Sequence, residues 1–378
     1  MIEHLPSDWR QSVLVGRLLT RDGPTPVVVA DGRVRDVSRH APTVSQLLNG
    51  WNGTGPDGVD LGPLDSFGFT CEYAGAKPVR LLSPFDLQCI KASGVTFAIS
   101  AMERVIEERC RGDASKADSL RASLRDRIGT DIRTVKPGSG DAQKLKQALI
   151  SDGLWSQYLE VAIGPDAEIF TKSPPLSSVG WGDWIGIRND SAWNNPEPEV
   201  VLAVDSAGRI LGATLGNDVN LRDIEGRSAL LLGKAKDNNA SCAMAPFIRL
   251  FDAHFTIDDL RRCEIALRVV GPDGFRVEAR DTLAKISRDP LDLAAQAIGP
   301  HHQYPDGLML FLGTMLAPTQ DRMGPGQGFT HVVGDVVTVS SPAFGALVNR
   351  VRRCDEIAPW RFGLTALMRS LAARQLLT

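Results

Sequence analysis

The sequence predicts an α+β fold, in which a small α+β unit precedes a larger domain built around a rolled, mixed β-structure. Three observations lead to this prediction. β-branched runs dominate the first 83 residues, apolar residues recur at helical spacing between residues 85 and 160, and strand-like segments prevail after residue 160. We therefore divide the chain into a small N-terminal α+β domain, residues 1–83, and a larger domain, residues 84–378.

The N-terminal unit is predicted from two strand-like runs, residues 12–18 and 26–34, which are rich in valine and other apolar residues, with a turn around Asp31-Gly32 in the second run. A short helix is expected over Val44–Asn49, because a glycine follows it directly and glycine commonly ends helices. The Gly-, Asp- and Pro-rich stretch 50–66 is typical of a loop. The unit is expected to end at Ser83-Pro84.

Helices are predicted for residues 85–160, and the charged stretch 107–127 within them is expected to form a solvated helical face. One later helix is well marked, because Asp289 is a typical N-cap, Pro290 fits the first turn, and a Gly-Pro pair follows the apolar run. The turn Gly271-Pro272-Asp273-Gly274, which lies between two strand-like runs, predicts a hairpin.

A second hairpin is predicted around the four-residue turn Asp205-Ser206-Ala207-Gly208, which separates two apolar strands. If it closes with Val204 opposite Arg209, Glu197 faces Gly216 in the neighbouring strand. The side chains at the open end of this hairpin would then project from one face of the sheet.

Three carboxylates are predicted to converge on that face. Glu197 and Glu199 share it because strand side chains repeat every two residues, and Asp218 lies one diagonal step away. Such a cluster repels itself unless a hard cation lies between the oxygens. Carboxylates without His or Cys argue against zinc and favour Mg²⁺, with Mn²⁺ or Ca²⁺ as alternatives.

Composition excludes several classes of protein. The chain has 378 residues, of which 43% are hydrophobic and 23% charged, as in ordinary globular proteins. A formal net charge of −3 without a basic run does not indicate nucleic-acid binding. No apolar stretch reaches the roughly 18–20 residues of a membrane span, and we recognise no export signal. The six cysteines are scattered, so reduced thiols and a cytoplasmic location are expected.

The ordered motifs of residues 90–350 resemble the fumarylacetoacetate hydrolase superfamily. That family carries an E-x-E pair, an N-D-[VW]-S-x-R-D element and a later lysine. The matching pieces here are Glu197-Pro198-Glu199, Asn217 to Asp223, Lys236, the upstream run 168–175, Gly313-Thr314, and the runs 333–337 and 345–349. The resemblance implies a mixed β-roll catalytic domain, a homodimer or homotetramer, and Mg²⁺ bound by the two glutamates and the aspartate.

One departure from the family pattern concerns the kind of reaction. Hydrolases of this superfamily typically carry N-Y-x-x-H-x-x-E, whose His and Glu activate a water. In the corresponding segment of this chain, Ser100 stands in place of the His and Glu103 in place of the Glu. The surrounding string resembles instead the sugar-acid dehydratases of the superfamily. These act on 2-keto-3-deoxy-pentonates and form 2,5-dioxopentanoate in non-phosphorylative pentose catabolism, including D-xylose degradation.

The resemblance also implies roles for individual residues. The family lysine contacts the substrate beside the metal. Lys236 matches it, and Lys234 is a competing alignment. Lys236 is a candidate for the base at C3 or for a contact to the enolate oxygen. Glu103 is the candidate for the acid, with Ser100 as a hydrogen-bonding neighbour, and the sequence does not assign these roles. Further substrate contacts are expected from Lys172 and Thr314.

Three functions remain open from the sequence alone. The favoured reading is a hydro-lyase that acts on a small 2-keto sugar acid. The second is a carbon–carbon bond hydrolase of a 2,4-diketo acid, which would need a base other than His. The third is a non-catalytic relative that binds a keto acid. Four charged residues retained together argue against the third reading.

Overall fold

The structure is a computed structural model that describes residues 2–74, 79–117, 135–316 and 318–377. Two mixed sheets and a two-stranded ribbon form its framework. The strands are β1 (Leu14–Thr20), β2 (Gly23–Ala30), β3 (Arg33–Asp36), β4 (Val59–Pro63), β5 (Arg80–Leu81), β6 (Cys89–Gly94), β7 (Glu168–Ser173), β8 (Trp184–Ile187), β9 (Asn194–Asn195), β10 (Pro198–Val204), β11 (Ile210–Asp218), β12 (Asn220–Leu221), β13 (Cys242–Met244), β14 (Phe247–Leu250), β15 (Glu264–Val270), β16 (Arg276–Thr282), β17 (Leu308–Phe311), β18 (Val336–Ser341) and β19 (Gly345–Arg353). The α-helices are α1 (Val44–Asn49), α2 (Ala98–Cys110), α3 (Gly140–Ser151), α4 (Gln157–Ile163), α5 (Arg222–Glu225), α6 (Leu232–Lys236), α7 (Ile257–Leu260), α8 (Pro290–Ala297) and α9 (Leu364–Ala373).

The N-terminal strands extend the large sheet. Its order is β4-β3-β2-β1-β14-β11-β10-β17-β6-β7, so β1 connects the first strands of the chain to β14. The predicted strands and helix α1 are confirmed, and Thr43 caps that helix through its hydroxyl. The prediction of a loop over residues 50–66 is wrong in part, because β4 pairs there with β3. The domain boundary at Ser83-Pro84 stays a prediction.

The hairpin of β10 and β11 forms the centre of the large sheet. Every residue of β10 is buried. Alternate residues of β10 pack into different hydrophobic clusters. Val200 and Leu202 belong to one cluster, whereas Val201 and Ala203 belong to another on the opposite face of the sheet. A strand buried on both faces reads as a continuous apolar run, as this one does.

The second sheet, of order β16-β15-β18-β19-β8, covers one face of the large sheet. Its inward residues, including Leu267 and Val339, belong to the same core cluster as Val200 and Leu202 of the central hairpin. The predicted hairpin around residues 271–274 and the predicted helix α8, capped by Asp289, are both confirmed. This packing gives the rolled mixed β-structure expected from the sequence.

Among the described residues between 85 and 160, the helical prediction is wrong for the first ten, and helices occupy most of those from residue 98 onward. Strand β6 occupies Cys89–Gly94 and pairs in parallel with β17. Helices α2, α3 and α4 then pack around a separate apolar cluster. The predicted solvated face is wrong at its start, since Glu107 is buried, and residues 118–127 of that stretch lie outside the described residues. No helix in the described ranges is long and apolar enough to cross a membrane.

The central hairpin closes in a register different from the one predicted. Glu199, rather than Glu197, lies opposite Gly216. The turn between β10 and β11 is longer than expected because the strand pairing shifts between Ala203 and Val204. The Asp205 carboxylate stabilises this longer turn by accepting hydrogen bonds from two of its amides. The difference between the two registers is two residues, which preserves the alternation of faces. The carboxylates predicted to share a face therefore still do.

Gly216→Ala should destabilise the central sheet by about 1–3 kcal/mol, because overpacking a filled core forces neighbouring atoms to move. An added Cβ would overlap the Phe311 ring and lie 2.7 Å from Val201. Urea unfolding measures the change. Gly233→Ala is the control, since nothing lies within 4 Å of its added Cβ and its stability should be unchanged or slightly raised. Equal stability of Gly216→Ala and the parent protein would contradict this packing.

Candidate active site

Three carboxylates meet at the open end of the central hairpin. Glu197 directly precedes β10, Glu199 lies within it, and Asp218 ends β11. The amide of Asp218 donates to the carbonyl of Glu197 at 2.9 Å, which fixes the two strand ends against each other. One oxygen of each carboxylate lies within 4.8 Å of the others, and all three side chains are buried. The predicted convergence of these residues is confirmed.

Cationic side chains surround two of the three carboxylates. The ammonium of Lys236 bonds Glu197 and lies 3.0 Å from Asp218 Oδ2. The Arg104 guanidinium donates to Glu197 Oε1 at 2.6 Å, and Lys172 Nζ lies 2.7 Å from Asp218 Oδ1. Burial alone would raise the pKa of Glu197, but Lys236 and Arg104 lower it to about 2. Glu197 is therefore an anion at neutral pH.

Glu199 differs from its neighbours in its partners. Its Oε2 accepts from the amide of Gly313 at 2.7 Å, and no ion pair joins it to a cation within the described residues. Burial, followed by the charges of Asp218 and Glu197, raises the pKa of Glu199 well above its ordinary value. Of the three carboxylates, Glu199 is therefore the one without a cationic partner among the described residues.

This arrangement fits a hard divalent cation. The donors are three carboxylates, which are ligands that Mg²⁺ accepts, whereas structural and catalytic zinc sites generally include His or Cys. The carboxylate that lacks a cationic partner is the group that an added cation would stabilise most. Glu197, Glu199 and Asp218 would hold the ion, which agrees with the Mg²⁺ set expected from the sequence.

A second charged network joins helix α2 to helix α5 behind the carboxylates. Arg104 bonds Glu107 at 2.6 Å and Glu225 at 2.7 Å. Arg222 donates to Glu107 and Glu103, each at 2.6 Å. All five side chains are buried. Glu107, which the sequence suggested to be solvated, is thus the link between the two arginines.

A narrow cavity opens onto this cluster. Besides the three carboxylates and Lys236, it is lined by Ser93, Gly94, Val95, Ser100, Arg104, Glu168, Phe170, Glu225 and Thr314. Burial raises the pKa of Glu168, and burial likewise raises the pKa of Glu225 to about 7. The cavity therefore offers protonatable carboxyl groups beside the anionic cluster, a combination common at catalytic sites.

The predicted site residues separate into two groups. Ser100 and Thr314 line the cavity, although both hydroxyls also donate to nearby backbone carbonyls: Ser100, in the first turn of helix α2, to that of Phe97, and Thr314 to that of Leu316. Glu103 pairs with Arg222 and Lys172 lies beneath Asp218, and neither belongs to the cavity lining. Their predicted roles as acid and substrate ligand stay predictions.

The structure distinguishes the two candidate lysines by position. Lys236 is buried in the cluster, whereas Lys234 is exposed and pairs with Asp190 at 3.2 Å. The two lie on different sides of the short helix α6. Only Lys236 reaches the carboxylates.

Sequence reasoning missed several cavity residues. Arg104 and Glu225 were not recognised, because their partners lie far away in the chain. Glu168 and Phe170 carried a usable signal, since they belong to the same motif as Lys172 and alternate along one strand. Reading that strand by faces would have placed Glu168 beside the carboxylates.

Comparison with solved structures defines the class of fold. Fumarylacetoacetate hydrolase from Exiguobacterium antarcticum is similar over 90% of this chain and all of that chain, with a TM-score of 0.55 and 15% identity. A 2-keto-3-deoxy-D-arabinonate dehydratase without ligand covers 90% of this chain and 99% of its own, with a TM-score of 0.64 and 21% identity. The chain therefore has the fumarylacetoacetate hydrolase fold, as the sequence resemblance implied.

The particular proteins that it resembles in sequence are dehydratases. It is 28% identical over 272 residues to 2-dehydro-3-deoxy-D-arabinonate dehydratase of Saccharolobus solfataricus, covering 68% of this chain and 87% of that protein. It is 29% identical over 194 residues to a probable 2-keto-3-deoxyxylonate dehydratase of Haloferax volcanii, covering 63% of that protein. A 2-keto-3-deoxy-D-arabinonate dehydratase complexed with magnesium and 2,5-dioxopentanoate has a TM-score of 0.62 and 22% identity. No family model matches the chain.

Glu199→Gln should remove a pH dependence of stability in the metal-free protein. The raised pKa of Glu199 means that the folded chain keeps a proton that the unfolded chain loses above about pH 4.5, so stability falls as the pH rises from there. Urea unfolding in chelator between pH 4 and 8 should show a shallower fall for the variant. The variant should also lose Mg²⁺ binding in calorimetry.

The matched control is Glu278→Gln, which changes an exposed glutamate on β16. Its pH profile and Mg²⁺ binding should equal those of the parent protein. Unchanged Mg²⁺ affinity in Glu199→Gln would remove Glu199 from the metal site.

Proposed function

We propose that this protein is a Mg²⁺-dependent hydro-lyase that dehydrates 2-keto-3-deoxy-D-arabinonate, also named 2-keto-3-deoxy-D-xylonate, to 2,5-dioxopentanoate. The observation that carries the proposal is the enclosed cavity, in which three buried carboxylates, Lys236 and Glu168 face one small space. The names of the two curated relatives support the same substrate class.

The carboxylate cluster determines how the substrate is oriented. A 2-keto acid offers a carboxylate and a ketone oxygen to one cation. When bound, Mg²⁺ supplies the positive charge that polarises the ketone and stabilises an enolate. Glu197, Glu199 and Asp218 would hold this charge, and the C3 to C5 portion of the substrate would then extend toward the other residues that line the cavity.

Glu168 is the residue that we assign to proton transfer. Its carboxyl lies on β7 opposite Gly94, which has no side chain to displace it from the cavity. Burial raises the pKa of Glu168, which makes its carboxylate a stronger base than an exposed one. In the proposed reaction it takes the proton from C3, and the same proton leaves with the C4 hydroxyl as water.

The remaining steps conserve atoms and charge. Loss of the C3 proton and the C4 hydroxyl leaves a C3–C4 double bond. Moving one proton from C5 to C3 shifts that double bond to C4–C5 and gives an enol. The enol becomes the C5 aldehyde when C4 gains a proton and the C5 hydroxyl loses one. No oxidant or reductant is required, because C5 is oxidised from an alcohol to an aldehyde while C4 is reduced by the loss of its hydroxyl group. The net change is the loss of one water.

Lys236 serves this reaction as a cation. Burial alone would lower the pKa of Lys236, but Asp218 and Glu197 raise it above its ordinary value. An ammonium that keeps its proton donates hydrogen bonds to an enolate oxygen and stabilises its charge. We therefore assign the proton transfer at C3 to Glu168 and the enolate contact to Lys236.

Carbon–carbon bond hydrolysis fits the cavity less well. It needs a base that activates water, and the two residues at the family's catalytic positions are otherwise engaged. Glu103 accepts from Arg222, and the Ser100 hydroxyl donates to the carbonyl of Phe97 at 2.8 Å. Neither group is poised to take a proton from water.

The cellular setting belongs to the same proposal. We infer a cytoplasmic enzyme of pentose catabolism that acts as a homodimer or homotetramer. Size-exclusion chromatography with light scattering measures the assembly directly, and a monomer at micromolar concentration would contradict that part.

The first test strips metal with chelator, restores Mg²⁺ and supplies 2-keto-3-deoxy-D-arabinonate. A 2-oxoglutarate-semialdehyde dehydrogenase couples aldehyde formation to NAD(P)H, and we expect a signal only with both metal and substrate. Metal-dependent release of pyruvate from a 2,4-diketo acid, with no turnover of the sugar acid, would establish the hydrolase instead. Binding of the sugar acid without turnover would establish a non-catalytic protein.

Glu168→Gln should lower kcat by about 10²–10⁴-fold, the range expected when a general base is removed. The KM and the Mg²⁺ affinity should change little, because the three carboxylates remain. Stopped assays at saturating Mg²⁺ measure both constants. Glu160→Gln, in a half-exposed residue of helix α4, is the matched control and should retain full activity. Full activity of Glu168→Gln would assign the proton transfer elsewhere.

A further inference from the structure

Lys172 is a buried cation whose hydrogen-bonding capacity is filled by the protein. Its side chain is fully buried, and its ammonium donates to the carbonyl of Lys236. The same nitrogen lies 2.7 Å from Asp218 Oδ1 and 3.4 Å from both the Val219 carbonyl and the Ser241 hydroxyl. An ammonium has three protons. With four oxygens around it, no proton is left for a substrate.

An irregularity in strand β7 explains why Lys172 contacts Asp218 without lining the cavity. Ile90 pairs with Ser173 and Lys91 pairs with Thr171, so Lys172 is an extra residue without a partner in β6. Such a β-bulge changes the direction of the side chain that it contains, and bulges recur beside active sites. Here the bulge directs Lys172 beneath Asp218.

The cavity ends before Lys172 is reached. Along β7, Glu168 and Phe170 line the cavity, but Lys172 does not. The ammonium of Lys236 lies 5.7 Å above the Phe170 ring on the cavity side. Lys172 therefore meets the reactive lysine only through that residue's backbone.

Lys172 joins the two segments on which the reaction depends. Lys236 is the last residue of helix α6, where carbonyls lack partners within the helix and favour a cation. Lys172 supplies that cation, and the Ser241 hydroxyl donates to the same carbonyl at 2.8 Å. The other contact of Lys172 leaves Asp218 Oδ2 for Lys236 Nζ, 3.0 Å away. One ammonium thus fixes both the backbone of Lys236 and the rotation of the Asp218 carboxylate.

We propose that Lys172 is a positioning residue, which sets the relative placement of Lys236 and Asp218 without touching the substrate. This departs from the sequence-based expectation of a substrate contact. The kinetic part rests on the proposed function, whereas the metal-binding part does not. Partners that orient the ligands of a metal commonly change affinity or activity by about 10–100-fold when removed.

The experiment compares Lys172→Met with Lys91→Met, a control in which a less buried lysine of the adjacent strand loses only its bond to Thr171. Calorimetry measures Mg²⁺ affinity without substrate, and steady-state assays at saturating Mg²⁺ measure kcat and KM. For Lys172→Met we expect Mg²⁺ affinity about tenfold weaker and kcat about 10–100-fold lower, with KM within about threefold of the parent value. Lys91→Met should match the parent protein in all three quantities.

A rise of tenfold or more in KM, with unchanged kcat and Mg²⁺ affinity, would make Lys172 a substrate ligand and overturn the proposal. Unchanged values throughout would also overturn it. If the parent protein fails to dehydrate the sugar acid but binds Mg²⁺, the proposed function fails while the calorimetric comparison still decides the role of Lys172.

Ser241→Ala keeps the proposal testable if Lys172→Met does not fold. It removes the hydroxyl that shares the Lys236 carbonyl and leaves the ammonium of Lys172 in place. Ser241→Ala should change the same quantities as Lys172→Met but less strongly, with kcat about threefold lower and KM unchanged. Lys172→Arg retains the charge but not the compact geometry. It should fold, and it should recover Mg²⁺ affinity more fully than kcat.

Discussion

The compensation of buried charge is the constraint on which the rest of this structure depends. Seven carboxylates lie in or behind one cavity: Glu103, Glu107, Glu168, Glu197, Glu199, Asp218 and Glu225. In the part of the chain that the structure describes, the cations that pair with members of this group are Arg104, Lys172, Arg222 and Lys236. Removing one partner from a buried pair leaves an uncompensated charge, which is strongly destabilising. The excess of negative charge is what makes a divalent cation a natural part of the site, and what keeps some of the carboxyls basic enough to carry protons.

The fold supplies a rigid frame for this charge. The central hairpin is packed on both faces, so the strand ends that carry Glu197 and Asp218 have little freedom to relax when their charges repel. Helix α2 brings Arg104 to the same point from outside the sheet. Rigid elements that hold charged groups in a preset arrangement are the usual source of electrostatic stabilisation in enzymes.

What the sequence could predict was local. The caps of helix α8 and the alternation that unites Glu197 with Glu199 lie within a few residues, and both are correct in the structure. Strand β6 was read as helix because it has only six residues and directly precedes a segment with helical spacing. The direction of Lys172 depends on a bulge that no periodic pattern encodes, and Arg104 meets Glu197 across 93 residues of chain. Such contacts follow from the folded sheet, so residue spacing alone does not predict them.

Glu107 contacts two arginines, one three residues away on its own helix and one 115 residues further along the chain. A change of charge at any member of this group would leave its partners unbalanced, so an isolated substitution there would be strongly destabilising. Members of the group should therefore change together during evolution. In a set of related sequences, positions 104, 107 and 222 would vary as a unit, and that covariation would mark the site even where the metal-binding residues themselves do not vary.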